Sequence, residues 1–176
     1  MFAEERNHCR FSWSDLGDIE KGRPKIGDSV PVLLYRLMQY TLRDALITRF
    51  DVNTAREIFI QAGIKAGSEF CKNMLDINLD YKEFLNLLKR VVEVYQIGIL
   101  TIEKVDFDSM EMTISMAEDL DCSGLPISNE TICSYDEGFI KGILDEYTQR
   151  EYHVKEIECW GTGSRTCRFK IHLIKM

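Results

Sequence analysis

The chain has 176 residues, 45% of them hydrophobic and 29% charged, which suits one domain that buries its own core without disulfide staples. A net charge of -7 with no long Lys/Arg run argues against a nucleic-acid partner, since a polyanion is repelled on average. No apolar stretch is long enough to span a bilayer and the start lacks the apolar core of a secretory signal, so a cytoplasmic location is expected.

Residues 1–28 carry Gly17, Gly22, Pro24 and Gly27 without a clear period. They read as an irregular arm ahead of a single domain over 29–176. A helix follows from Ser29, a candidate cap, with Pro31 in its first turn and Leu33, Leu34, Leu37, Leu42 and Leu46 on one face. A second opens on Thr54-Ala-Arg-Glu57, a capping box. Gly63 and Gly67 stand one turn apart on it beside Ala62 and Ala66. That smooth strip predicts close approach of another helix, with a second subunit as one candidate partner. A third helix opens at Asp80 with Glu83 three residues on, and Phe84, Leu87, Leu88 and Val91 form its inner face.

The period then changes to two. Residues 98–105 and 110–116 flank a turn over 106–109 and predict a hairpin. Met110, Met112, Ile114 and Met116 make one face apolar, either as plain core or as the adaptable wall of a cavity. Ser128 is the candidate cap of a fourth helix bearing Tyr135, Phe139 and Ile143, in which Gly138 and Gly142 repeat the one-turn spacing. A last hairpin spans 151–159 and 166–174. The order predicts an α+β fold, an antiparallel sheet of two hairpins packed with about four helices.

Of six cysteines, Cys9 and Cys71 stand alone, while Cys122, Cys133, Cys159 and Cys167 crowd the last third. In a reducing compartment such crowding points to metal more than to disulfides. Cys159 and Cys167 flank a glycine-rich tip that can bring both sulfurs to one point, like a zinc knuckle stretched by several residues. Glu156 and Cys159 differ in strand parity, so they can share an ion only if the strand breaks near Cys159. The third sulfur must come from Cys133 or Cys122. A helix first turn favours a thiolate at Cys133, whereas Asp119 and Asp121 disfavour one at Cys122. Three thiolates and a carboxylate would close a tetrahedral, structural site.

Cys133-Ser-Tyr-Asp-Glu-Gly138-Phe-Ile-Lys-Gly142, followed by Val154-Lys-Glu156-Ile-Glu-Cys159, Gly163 and Cys167-Arg-Phe169, resembles the 4-vinyl-reductase-type domain. Arg23-Pro24, Gly27-Asp28 and the Gly63/Gly67 helix extend the resemblance toward residue 23. Such domains stand alone in archaea and form the ligand-sensing part of bacterial aromatic-hydrocarbon regulators. The resemblance implies a fold like that of a eukaryotic trafficking-complex subunit, a homodimer, and an apolar pocket between helices and sheet. It also implies zinc held by Cys133, Glu156, Cys159 and Cys167, which settles the third sulfur on Cys133. One departure stands out: neither His8, His153, His172 nor Trp160 is placed to match the polar His/Trp pair of phenol sensors.

The expected function is binding of a small hydrophobic or aromatic ligand, in a sensory or carrier role, against Phe84, Leu88, Met112, Ile114, Tyr135, Phe139 and Val154. No nucleotide fingerprint, flavin signature or nucleophile arrangement is present, so no catalytic residue is assigned. Two alternatives stand beside it. One is an enzyme of vinyl-tetrapyrrole reduction. The other is a scaffold subunit whose pocket is filled, or acylated at Cys71.

Overall fold

In the computed structural model of the chain, residues 11–106 and 109–174 are described. The arm is more ordered than its glycines imply. Trp13–Leu16 form a 3-10 turn and Ile19–Gly22 one turn of helix, α1, capped by the Asp18 carboxylate on the Lys21 amide. The Trp13 amide donates to Glu69 at 3.1 Å, which ties the arm to the body.

Helix α2 spans Val32–Arg49 and starts after Pro31; the Ser29 hydroxyl caps nothing. Helix α3 spans Val52–Met74, and its cap is Asp51 rather than Thr54. The Asp51 carboxylate accepts from the amides of Asn53 and Thr54 and from the Thr54 hydroxyl, so the expected capping box gives way to a stronger charged acceptor one turn earlier. Helix α4, Tyr81–Val94, opens as expected, with Asp80 accepting from the Glu83 amide at 2.9 Å. Strands β1 (Ile99–Asp106) and β2 (Glu111–Ala117) form the first hairpin. Two residues of its turn, 107 and 108, lie outside the described residues.

Helix α5, Ser134–Thr148, begins six residues later than Ser128 would have it. The amides of Ser128 and Asn129 donate instead to the carbonyl of Gly161, which pins this segment to the tip of the last hairpin. That hairpin is β3 (Tyr152–Glu158) and β4 (Cys167–Leu173), joined through a 3-10 turn at Trp160–Thr162. The four strands are antiparallel in the order β1-β2-β4-β3, so the hairpins meet along β2 and β4. Met112, Ile114 and Met116 are buried opposite Ile171, Phe169 and Cys167, packed with Phe84, Leu88, Val92, Ile143 and Leu144 from the helices. The fold is α+β, with the helices over the sheet.

The glycines of α3 do not serve a second subunit. Gly63 and Gly67 face Gly138 and Gly142 of α5 in the same chain. A Cβ at Gly63 would strike the Tyr135 carbonyl oxygen, and one at Gly138 would strike that of Ile60. The two helices touch backbone to backbone, and four residues without side chains make this possible. Gly138→Ala should therefore destabilise the fold by about 1–3 kcal/mol, read as a lower midpoint in chemical denaturation. An unchanged midpoint would refute the contact.

Candidate functional site

Four cysteines from four places in the chain converge. Cys122 comes from the turn after β2, Cys133 caps α5, Cys159 follows β3 and Cys167 opens β4. All four are free and buried, and their sulfurs lie within 4.8 Å of one another. Cys133 Sγ is 3.6 Å from both Cys159 Sγ and Cys167 Sγ, and Cys122 Sγ is 3.0 Å from Cys167 Sγ. An ion bound tetrahedrally at about 2.3 Å from each sulfur needs neighbouring sulfurs about 3.8 Å apart, so the Cys133 spacings fit. This buried cluster can hold a metal ion.

Glu156 is buried beside it. Its Oε2 accepts from the Cys133 amide at 3.1 Å, and its Oε1 has no partner among the described residues. The β3–β4 register shifts between Glu156 and Glu158, and the strand ends before Cys159. That irregularity lets two positions of opposite parity both face inward. Sequence reasoning left Cys122 outside the set, and the distances bring it in. The signal was the crowding of four cysteines. The adjacent acids obscured it, because one of them supports the turn: Asp119 Oδ1 accepts from the amides of Asp121 and Cys122.

Burial dominates the electrostatics. It pushes Asp119 up to about 7, helped by the charge of Asp121, and pushes Glu156 up to about 8, helped by Cys159. Asp121 and Asp136 are raised for the same reason. Among the thiols, Cys159 is held far down by hydrogen bonds from Cys122, Cys133 and Cys167, while Cys133 and Cys167 are held up, first by Cys122. One thiolate among protonated neighbours is a cluster that must release protons to take a cation.

Helix α2 braces this region through its polar side. Arg36 donates to the carbonyls of Leu120, Ser123 and Asp119, Tyr35 to Asp121 Oδ1 at 2.7 Å, Tyr40 to the Asp121 carbonyl and Arg43 to that of Ile132. The leucine face singled out in the sequence points away: no residue of α2 is buried, with Leu33 75% and Leu37 60% exposed.

The seven expected pocket residues do not share one cavity. Leu88, Met112, Ile114 and Phe139 surround a void of about 20 Å³, room for little more than a water. Phe84 is buried and stacked on Tyr147, and Val154 lies by a groove on the β3 side. Tyr135 and Phe139 instead line a cavity of about 300 Å³ with Trp13, Tyr35, Ala66, Phe70, Asp121 and Asp136. Its other walls come from the arm, α2 and α3. Cys71 is fully buried, and burial pushes its thiol up to about 11, which keeps it protonated and unreactive. His153 and His172 face each other across β3 and β4, away from this cavity, and His8 and Cys9 lie outside the described residues.

An α+β domain with a cysteine cluster between its last hairpin and the start of α5 is the architecture of one known family. Residues 112–173 match the 4-vinyl-reductase domain family, so this part of the chain is a domain of that family. An uncharacterized protein of Methanocaldococcus jannaschii is 30% identical over 100 residues, which is 57% of this chain and 59% of that protein. A second from the same archaeon is 24% identical over 166 residues, covering 90% of this chain and 87% of its own. Three solved structures share the fold at 14–15% identity. The phenol-responsive sensory domain of the transcription activator PoxR, bound to phenol, has a TM-score of 0.61 over 84% of this chain and 76% of its own. A vinyl-4-reductase family protein of Methanocaldococcus jannaschii has 0.59 over 96% and 99%. Trafficking protein particle complex subunit 3 of Naegleria fowleri, covalently bound to palmitic acid, has 0.65 over 82% and 95%.

Proposed function

We propose that this protein is a sensor-like domain that binds a small, mostly apolar aromatic molecule in the 300 Å³ cavity between the arm, α2, α3 and the start of α5. The cavity carries the reading: its volume falls at the lower end of ligand pockets, and its walls are aromatic with a few polar groups. The PoxR sensory domain, with its bound phenol, is similar in fold. Small aromatic compounds should raise the melting temperature of the wild type by mass action. In Ala66→Phe, whose added ring fills the cavity, the same compounds should shift it little or not at all. A broad aromatic panel that shifts neither protein would refute the reading.

The cysteine cluster is assigned as a structural zinc site. Cys133, Cys159 and Cys167 are common to the resemblance and to the distances. The resemblance puts Glu156 in the fourth place, and the distances put Cys122 there. The mutual proximity of four sulfurs favours Cys122, with Glu156 holding the Cys133 amide behind the site. Four protein ligands leave no open position, so zinc would fix the last hairpin to α5 and stay clear of the ligand. Elemental analysis should give about one zinc per chain. Cys133→Ser, Cys159→Ser and Cys122→Ser should lose it and unfold more easily, whereas Glu156→Gln should keep it. Loss in Glu156→Gln with retention in Cys122→Ser would assign the fourth place to Glu156.

The homodimer that the resemblance implies is assigned to the outer face of α2. The glycine faces are already engaged within the chain, and Leu33, Leu34, Leu37, Met38 and Leu42 leave a contiguous exposed apolar patch. Leu37→Glu should convert a dimer to a monomer by light scattering at tens of micromolar. A wild type that is monomeric there would end the assignment.

A further inference from the structure

Two carboxylates face the cavity with acceptor atoms unused. Asp121 is 3% exposed and Asp136 6%, and both line the cavity. Oδ2 of each is buried with no hydrogen-bond partner among the described residues. A carboxylate is an acceptor with several sites, and a buried one calls for donors or a cation. The protein's own cations are engaged elsewhere. Arg36 and Arg43 donate to backbone carbonyls. Arg56 and Lys155 pair with Glu137, and Lys141 with Asp145 and Glu151. No lysine or arginine is among the residues lining the cavity. Beside Asp121 stands Gln39, whose Oε1 is likewise buried without a partner among the described residues, another acceptor awaiting a donor.

The rest of the wall is aromatic. Trp13, Phe70, Tyr135 and Phe139 surround the same space, with Phe139 edge-on to Phe70 at 5.2 Å and stacked over Tyr135 at 6.4 Å. Aromatic faces attract organic cations as well as aromatic rings. A neutral phenol brings one donor, whereas the open oxygens sit on two separate side chains. A primary ammonium brings three donors and a charge.

We propose that the ligand of this cavity is a small organic cation, an aryl or aralkyl primary amine. Its ammonium would sit on Asp121 and Asp136 and its ring among Trp13, Phe70 and Phe139. The proposal rests on the reading of this cavity as the ligand site. Its rival is a second metal ion, because ligand atoms of Asp119, Cys133 and Asp136 also lie within 4.8 Å of one another. That trio leaves out Asp121, and it leaves the aromatic wall without a purpose.

The test is calorimetry on the metal-loaded protein with a matched series: phenethylamine, 2-phenylethanol and ethylbenzene. Phenethylamine should bind about tenfold or more tighter than 2-phenylethanol, as expected of a charge-assisted over a neutral contact. The advantage should fall to about threefold or less in Asp121→Asn and in Asp136→Asn. Should either variant fail to fold, the wild-type ranking decides alone. An alcohol or hydrocarbon that binds as tightly as the amine overturns the cation proposal and leaves the cavity reading standing. Failure of all three to bind overturns both. Two metal equivalents per chain by elemental analysis, with no amine binding, assigns the carboxylates to metal and overturns the proposal.

Discussion

The backbone contact between α3 and α5 fixes the geometry on which both halves of the site depend. With glycine at 63, 67, 138 and 142, the helices approach until carbonyls and Cα atoms touch, and no side chain can yield to let one slide past the other. Glu137 locks the same end of α5 from the other side. It is paired with Arg56 of α3 and Lys155 of β3, and it accepts from the Glu156 amide at 2.8 Å. The start of α5 is thereby held against helix and sheet at once. Within one turn it presents Cys133 to the cysteine cluster and Tyr135 and Asp136 to the cavity.

That placement explains how one short segment serves two environments. The sulfurs converge on the sheet side of the turn, where β3 and β4 deliver Cys159 and Cys167. The open carboxylate oxygens converge on the α2 side, where the walls are aromatic. The turn carrying Asp119, Asp121 and Cys122 joins the two. Arg36, Tyr35 and Tyr40 bind its carbonyls and one carboxylate, so the seat of α2 and the position of Cys122 are mechanically linked. The polar side of α2 turns inward for this reason: the loop beneath it offers carbonyls, and buried carbonyls need donors.

Much of this was legible in the chain. Hydrophobic period separated helices from strands, and Asp80 with Glu83 marked the start of α4. The Cys133, Glu156, Cys159 and Cys167 pattern carried the family resemblance. Other features were misread for identifiable reasons. Ser128 had the chemistry of a cap, but its amide was taken by Gly161, a residue distant in sequence. Thr54 was outcompeted as a cap by Asp51, whose charge makes the better acceptor. The α2 leucines had helical spacing, yet spacing says only that a face exists and not where it points.

By itself, the sequence determined what is local or compositional: the α+β order of elements, the smooth glycine faces, and the collection of thiols in the last third. Only the tertiary structure decided pairings. It placed Gly63 and Gly67 on Gly138 and Gly142 of the same chain, brought Cys122 in beside the other three sulfurs, and filled the expected sheet-side pocket while opening a cavity on the α2 side. The physical reason is common to all three. Each depends on which distant backbone or side-chain atoms come within a few ångströms, and close packing settles that only when every element has its place.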